Sequence, residues 1–315
     1  VKGTLLSGFP MFHIAGLTVC ESAMYLGWTQ VLIPNPRDTD HICNEIEKFK
    51  PSYLVNVPSL FQMLMANPRF KDLDHSQLTG CISAASPFPK ESQIDFEKIV
   101  GQGKLLELYG MTETSPISVM NPSKGTKKLG TVGMPILNVD LKLISPETSD
   151  EVPLGEAGEV CLRGPLVMKE YFNKPEATAK TIDMDGYLHT GDVGIMDEEG
   201  YLRIVDRTKD MIIVGGFKVF SSKVEDVISQ HPAIGTIALI GKPNPERPGS
   251  EIVRAYIQLD TDYTFDGDYS KLQEEIIAFA KEKCSPYEIP KEIEFMDEIP
   301  LTPVGKVDKK ELRKK

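Results

Sequence analysis

The sequence predicts an α/β fold in its first part, a β-rich middle and a small α+β end. Three observations lead there. Up to residue 129, short apolar runs alternate with helical patterns, the rhythm of a mostly parallel sheet covered by helices. From 130 to 206, short strands are broken by glycine, proline and acidic turns, which suits a small antiparallel sheet or barrel. Beyond the charged stretch Asp206-Arg207-Thr208-Lys209-Asp210, helices and strands alternate over a span of ordinary domain size.

The elements follow in chain order. Residues 18–34 are largely apolar. Asp38 or Thr39 can cap a helix whose inner face is Ile42, Ile46 and Phe49, ended by Pro51. Residues 53–57 read as a strand. Residues 58–65 read as a helix with Leu60, Met63 and Leu64 inward. Residues 78–85 form the next strand, and 89–100 a helix stopped by Gly101 and Gly103. A strand over 105–109 closes the series. In the middle part, strands are expected at 139–144, 158–163 and 201–205. In the last part, 223–230 is helical, and 234–241 and 252–259 are strands. Ser270 with Gln273 makes a capping-box pattern for a helix with Leu272, Ile276 and Ala280 inside. A final strand covers 292–296.

Composition narrows the function. The 315 residues carry a formal charge of -11, which argues against nucleic acid as a partner, since phosphate binding wants a basic face. The Lys/Arg-rich end, residues 306–315, reads mostly as a solvated tail. Cys20, Cys43, Cys81, Cys161 and Cys284 are far apart and odd in number. No C-x-x-C pair suggests zinc, and reduced thiols in a cytoplasmic protein are expected. No apolar run reaches the roughly 18 residues of a membrane span. Val1-Lys2-Gly3-Thr4 carries no signal-peptide pattern. It runs at once into an apolar segment, so a beginning inside a domain is expected.

Ligands of parallel sheets bind beyond the carboxyl ends of the strands. Two loops follow strands there. One is Ser83-Ala84-Ala85-Ser86-Pro87; the other is Tyr109-Gly110-Met111-Thr112-Glu113-Thr114-Ser115-Pro116. In the second, an aromatic face can stack on a purine and a glycine lets backbone approach a ligand. A threonine hydroxyl can donate to phosphate, and a carboxylate can hold the accompanying magnesium. An ordinary strand-to-helix turn is the alternative. Tyr187-Leu188-His189-Thr190-Gly191-Asp192 is either a glycine turn capped by Asp192 or a carboxylate for both hydroxyls of a ribose. Arg207 adds a donor to the same ribose or makes a surface ion pair. Lys306, framed by Pro303 and Gly305, is a solvated lysine or a mobile cation for an α-phosphate and a substrate carboxylate. Gly215-Gly216-Phe217 is a hairpin turn or bulge, or lines a narrow passage. His13, in the apolar segment 10–17, reads as a core residue.

Taken in order, these segments resemble the adenylate-forming superfamily, and within it the fatty acyl-CoA synthetases. Residues 10–17 look like P-x-F-H-x-x-G. Ala84-Ala85-Ser86-Pro87 looks like the G-A-A-P adenine loop, with Ala84 for glycine. Residues 109–113 match Y-G-x-T-E, 158–165 match G-E-x-x-x-R-G-P, and 186–192 match G-Y/W-x-x-T-G-D. Residues 206–216 match the D-R-x-K-D segment, and 303–306 the closing P-x-G-K. The matches span nearly the whole chain.

The resemblance implies residues 1–206 as the C-terminal part of a large adenylation domain, α/β over 1–129 and β-rich over 130–206. It implies 207–315 as a small mobile domain hinged near Lys209. A carboxylate would attack the α-phosphate of ATP, and coenzyme A would then displace AMP. Ala84, Ala85, Ser86, Tyr109, Gly110, Met111 and Thr112 fall on the ATP/AMP contacts, Glu113 on the Mg2+ ligand, and Asp192 and Arg207 on the ribose contacts. Lys306, with Thr112 and Glu113, falls on the catalytic set. Phe12 and His13 fall on the acyl pocket. Lys209, Gly215, Gly216 and Phe217 fall on the hinge and coenzyme A path. Fatty acid, ATP and coenzyme A are the implied partners, with membrane-surface contact and a homodimer left open.

Aryl-CoA ligases, coenzyme A-independent acyl-AMP ligases and peptide-synthetase adenylation domains share this pattern, and a silent nucleotide-binding fragment is a rival of another class. Glu170 stands where the family has glycine, and residues 217–224 lack a common proline. The family's Ser/Thr/Gly-rich phosphate loop lies upstream of P-x-F-H, and this chain carries none. A piece beginning after that loop, poorly active alone, is therefore expected.

Overall fold

A computed structural model describes residues 3–261, 263–302 and 307–315. Two compact units are present: residues 1–190 with 194–204, and residues 191–193 with 205–315.

The first unit opens with β1 (Thr4–Ser7), α1 (Ile14–Leu26), β2 (Thr29–Leu32), α2 (Thr39–Phe49), β3 (Tyr53–Asn56), α3 (Pro58–Ala66) and α4 (Pro68–Asp72). It continues through β4 (Gly80–Ser83), α5 (Lys90–Val100), β5 (Leu105–Tyr109), β6 (Val119–Met120) and β7 (Met134–Pro135). These strands form one sheet in the order β2-β1-β3-β4-β5-β6-β7. Pairing is parallel as far as β5 and antiparallel beyond it. The sequence left β1 and α1 unassigned because α1 is apolar all round: Met24, Tyr25 and Leu26 are exposed while Val19 and Ala23 are buried.

Packing corrects two expected faces. Asp38 does cap α2, its Oδ1 accepting from His41 N at 2.9 Å. The buried stripe is Ile42, Cys43 and Ile46, with Phe49 at the exposed end. On α3, Phe61 turns inward beside Leu60 and Leu64, and Met63 faces out. Phe61 belongs inside because its ring meets Phe96 of α5 at 4.6 Å. Aromatic burial of that kind outweighs a flexible methionine.

The first unit also holds β8 (Asp140–Ile144), β9 (Ala157–Arg163) and α6 (Pro175–Thr181), most of β10 (Leu188–Met196) and the first half of β11 (Leu202–Arg207). Their sheet has the order β11-β10-β9-β8. Among the described residues, no helix is long and apolar enough to cross a membrane.

In the second unit come β12 (Ile212–Val214), β13 (Phe217–Val219), α7 (Ser221–Ile228), β14 (Ile234–Pro243), β15 (Glu251–Leu259), α8 (Tyr269–Lys283), β16 (Glu292–Phe295) and α9 (Lys309–Leu312). Leu272, Ile276 and Ala280 of α8 are buried. The cap of α8 is Asp268, which accepts from Lys271 N, and not Ser270, which lies inside the helix. The basic end is solvated at Lys310, Lys314 and Lys315, but part of it packs. Leu312 is buried. Lys309 Nζ lies 2.7 Å from Glu225 Oε1 and donates to Ser221 Oγ at 2.7 Å. Charge read along the chain misses such pairing, because Glu225 is 84 positions away in sequence.

One buried acid makes the first unit pH-sensitive. Glu107 of β5 accepts from Gln93 Nε2 at 2.6 Å, and Gln93 Oε1 accepts from Gly130 N at 2.9 Å. Burial pushes the Glu107 carboxyl up to about 8, against hydrogen bonds from Gln93 and Phe88 that pull it down. The folded state thus keeps a proton that the unfolded chain releases near its ordinary value. The stabilisation is full below about pH 4.3 and declines as pH rises towards 8. Glu107→Gln should flatten that decline, which is on the order of a few kcal/mol. Denaturant titrations of both proteins at several pH values check it; parallel curves would remove the claim.

Candidate active site

The loop after β5 is built around a glycine that admits no substitute. A Cβ on Gly110 would stand 1.5 Å from Pro116 O, a backbone atom. Residues 112–114 make a single 3-10 turn, closed by Ser115 in the left-handed region at φ 58. Thr114, fully buried, holds the turn: its Oγ1 accepts from Met111 N and donates to Met111 O, both at 3.1 Å. Ser118 N donates to Tyr109 O at 2.9 Å. Tyr109 is thereby left half-buried at the carboxyl end of β5, and Thr112 is exposed.

Glu113 is fixed at both its main chain and its side chain. Its carbonyl accepts from Met168 N at 2.8 Å and its Oε1 accepts from Tyr171 Oη at 2.8 Å. Ser115 Oγ donates to Leu166 O at 2.9 Å, pinning the same loop to residues 166–171. Burial, and then the Glu113 carboxylate, push the Tyr171 phenol above its ordinary value. The Glu113 carboxylate and the neighbouring Thr112 hydroxyl are the hard oxygen donors that a magnesium ion takes, so these residues fit Mg2+.

Ala84 is buried against Phe9, Val19 and Val55. Ala85 sits at φ 73, a conformation costing an L-residue roughly 1–2 kcal/mol and typical of functional loops. Ser86 is half-buried. His13 is neither a core residue nor an open base: its Nδ1 accepts from Ala15 N at 3.2 Å and caps α1. Phe12 beside it is 83% exposed.

Within the second unit, Arg207 Nε donates to Asp192 Oδ1 at 3.0 Å, with Asp192 nearly buried and Arg207 half-exposed. Asp192 lies inside strand β10 and not on a turn. Gly191, at φ 71, bends that strand, and its carbonyl accepts from Thr208 N at 2.9 Å. The glycine that suggested a turn makes a kink within a strand. Asp206, next to Arg207, points inward. Its carboxylate takes Ser221 N and, at 3.0 Å, Ser221 Oγ, at the start of α7. Burial pushes this carboxyl up, opposed by the Lys309 ammonium and these hydrogen bonds.

Lys209 is exposed, and its carbonyl accepts from Arg313 Nη2 at 3.2 Å. Gly215 and Gly216, at φ 61 and 91, form the two-residue turn between β12 and β13, so the hairpin reading is the one found. Phe217 is exposed and stacks on Tyr287 with ring centres 4.6 Å apart. Lys306 lies outside the described residues.

The structure adds groups that sequence reasoning passed over. Thr114 and Tyr171 set the loop geometry, and Asp206 anchors α7. Asn56 and Ser83 face each other across β3 and β4, each 1% exposed. Among the described residues, Asn56 Nδ2 and Ser83 Oγ have no hydrogen-bond partner. A polar residue closing an apolar strand just before a loop was the available signal.

Comparison with known proteins places this geometry in context. Residues 2–172 match the AMP-binding enzyme family, and residues 223–306 match the AMP-binding enzyme C-terminal domain. A long-chain-fatty-acid--CoA ligase of Escherichia coli O6:H1 is 37% identical over 313 residues, covering 99% of this chain and 54% of that protein. One of Bacillus subtilis is 39% identical over 306 residues, covering 96% and 52%. The crystal structure of an anthranilate CoA ligase with anthranoyl-AMP superposes with a TM-score of 0.87 at 29% identity, covering 99% of this chain and 59% of that one. The chain spans about half the length of the relatives it matches.

Proposed function

Since the chain belongs to the family of AMP-binding enzymes, we propose that it serves the ATP-dependent ligation of a fatty acid to coenzyme A. In the first step a carboxylate oxygen bonds to the α-phosphorus of ATP and the bond to pyrophosphate breaks, giving acyl-AMP. In the second, the coenzyme A sulfur bonds to the acyl carbon, AMP leaves, and the thiol proton is lost to solvent. Such transfers depend on positioning and charge neutralisation. The observation that carries this reading is the glycine-locked loop after β5, with Glu113 held by Tyr171.

Each group has a role in that reading. The Tyr109 ring stacks on adenine beside Ala84, Ala85 and Ser86, and Gly110 and Met111 bring backbone to the nucleotide. Thr112 donates to phosphate. Glu113 would hold Mg2+, whose charge offsets that of the phosphates. Asp192 accepts from ribose hydroxyls, and Arg207 keeps that carboxylate oriented. Lys306 neutralises charge in the adenylation step. Residues 207–315 turn about a hinge near Lys209, with Gly215, Gly216 and Phe217 meeting the pantetheine arm. Phe12 and His13 border the acyl chain. A cytoplasmic setting, where ATP and coenzyme A are both at hand, is part of this reading.

The fatty-acid preference rests on the 37–39% identity to long-chain-fatty-acid--CoA ligases; the similarity to an anthranilate ligase favours aromatic acids as the second reading. Assaying acyl-CoA formation by the full-length protein over fatty and aromatic acids separates them. Turnover of fatty acids is expected; turnover of aromatic acids alone would replace the substrate class. Absence of any ATP or AMP binding by calorimetry would remove the ligase reading itself.

A further inference from the structure

Four polar side chains converge on the sheet of the β-rich layer, away from the loops already described. Glu159 and Cys161 lie two apart on β9 and so share a face, and His189 of β10 lies beside them. His189 Nδ1 is 3.3 Å from Glu159 Oε2 and 3.7 Å from Cys161 Sγ, and the three donor atoms lie within 4.8 Å of one another. Nitrogen, sulfur and oxygen ligands around one tetrahedral zinc stand about 3.3–3.6 Å apart, given its bond lengths. The two distances from His189 Nδ1, 3.3 and 3.7 Å, are close to that.

The other ring nitrogen has its own partner. His189 Nε2 lies 3.4 Å from Asp183 Oδ2. Asp183 is itself held, its Oδ1 accepting from Asp185 N at 3.0 Å and Tyr187 N at 2.8 Å. A carboxylate on the far nitrogen of a ligating histidine sets its tautomer and its ring orientation. With the proton on Nε2, the Nδ1 lone pair faces the Glu159 carboxylate at hydrogen-bond distance. Two acceptors so placed need a proton or a cation between them. Cys161 is fully buried, whereas the side chains of Glu159 and His189 are 15% and 28% exposed, so solvent can reach a fourth position. The opposing charge is Lys142, whose Nζ lies 4.0 Å from Asp183 Oδ2 and 3.9 Å above the Tyr187 ring. Two carboxylates against one ammonium leave the cluster net negative.

We propose that Glu159, Cys161 and His189 form a Zn2+ site, with water as fourth ligand and Asp183 as the positioning carboxylate. The mixture of thiolate, imidazole and carboxylate suits zinc and disfavours magnesium or calcium. On binding, the zinc–sulfur bond forms as the S–H bond breaks, and the proton leaves to solvent. The ion would tie β9 to β10.

Titration of the purified, metal-free protein with Co2+ alone tests this. Stoichiometric binding with a thiolate-to-cobalt charge-transfer band and tetrahedral d–d bands is expected, and Zn2+ should discharge both. Cys161→Ser should lose the charge-transfer band, and Cys20→Ser, Cys43→Ser, Cys81→Ser and Cys284→Ser should each keep it, which assigns the thiolate by elimination even if the buried serine at 161 prevents folding. Asp183→Asn should bind Co2+ about 10–100-fold more weakly with the same spectrum. No thiolate band in the parent protein, or unchanged affinity in His189→Gln, overturns the site; the cluster is then a metal-free contact of His189 with Glu159 and Asp183.

Discussion

Lys306→Ala should form acyl-AMP on the order of 100–1,000-fold more slowly than the parent protein, the usual effect of removing one preorganised stabiliser of developing charge. The argument is electrostatic. Attack on the α-phosphate brings an anionic carboxylate against an anionic phosphorus centre, and an ammonium group beside both lowers the barrier only while that charge develops. The thioester step starts from acyl-AMP, where the carboxylate charge is already gone. Supplied with acyl-AMP and coenzyme A, the variant should therefore run at nearly the parent rate. Quench-flow measurement of the two half-reactions in the intact protein decides the matter. Equal slowing of both would reassign Lys306 to a structural role, and an unchanged first step would remove it from the reaction.

Gly110→Ala should abolish the loop after β5 in its present form. The added methyl would stand 1.5 Å from Pro116 O and 2.7 Å from Pro116 C, and 3.2 Å from Ile117 Cα. No side chain can yield, because all three atoms are backbone. Forced overpacking costs about 1–3 kcal/mol and occasionally more. If the loop moves aside, Thr112 and Glu113 leave with it, and 3 kcal/mol corresponds to roughly 100-fold weaker AMP binding. Calorimetry with AMP and a thermal melt measure the two routes by which this cost appears. Affinity and melting temperature both within error of the parent would show that the loop does not depend on this contact.

Much of the first unit was legible because local signals agreed with tertiary packing. The Asp38 cap, the Gly101 stop and the apolar run of β5 each point to the element found. β10 was hidden for a physical reason: Gly191 adopts a left-handed conformation inside a strand, so a glycine that usually ends an element here bends one. The identity of the candidate nucleotide loop was written in Tyr109 to Glu113. Its geometry was not, since Tyr171 comes from 58 positions away and the Pro116 contact of Gly110 arises only on folding. The Glu159, Cys161 and His189 cluster was similarly invisible, because two strands must pair before three unrelated positions become neighbours.

The neighbours Asp206 and Arg207 show how a chain can be protected from misreading its own alignment. On β11 they point opposite ways, the acid inward to Ser221 and the base outward to Asp192. Sliding the strand by one residue exchanges its two faces. A slip one way would bring the Arg207 guanidinium into the pocket shaped for a carboxylate, facing an N–H donor; a slip the other way would set Asp206 against the like charge of Asp192. Apolar residues tolerate such slips when both faces are greasy; opposite charges in tandem do not. The pair works as a molecular parity check, rejecting a one-residue displacement in either direction of the strand that leads from one compact unit into the next.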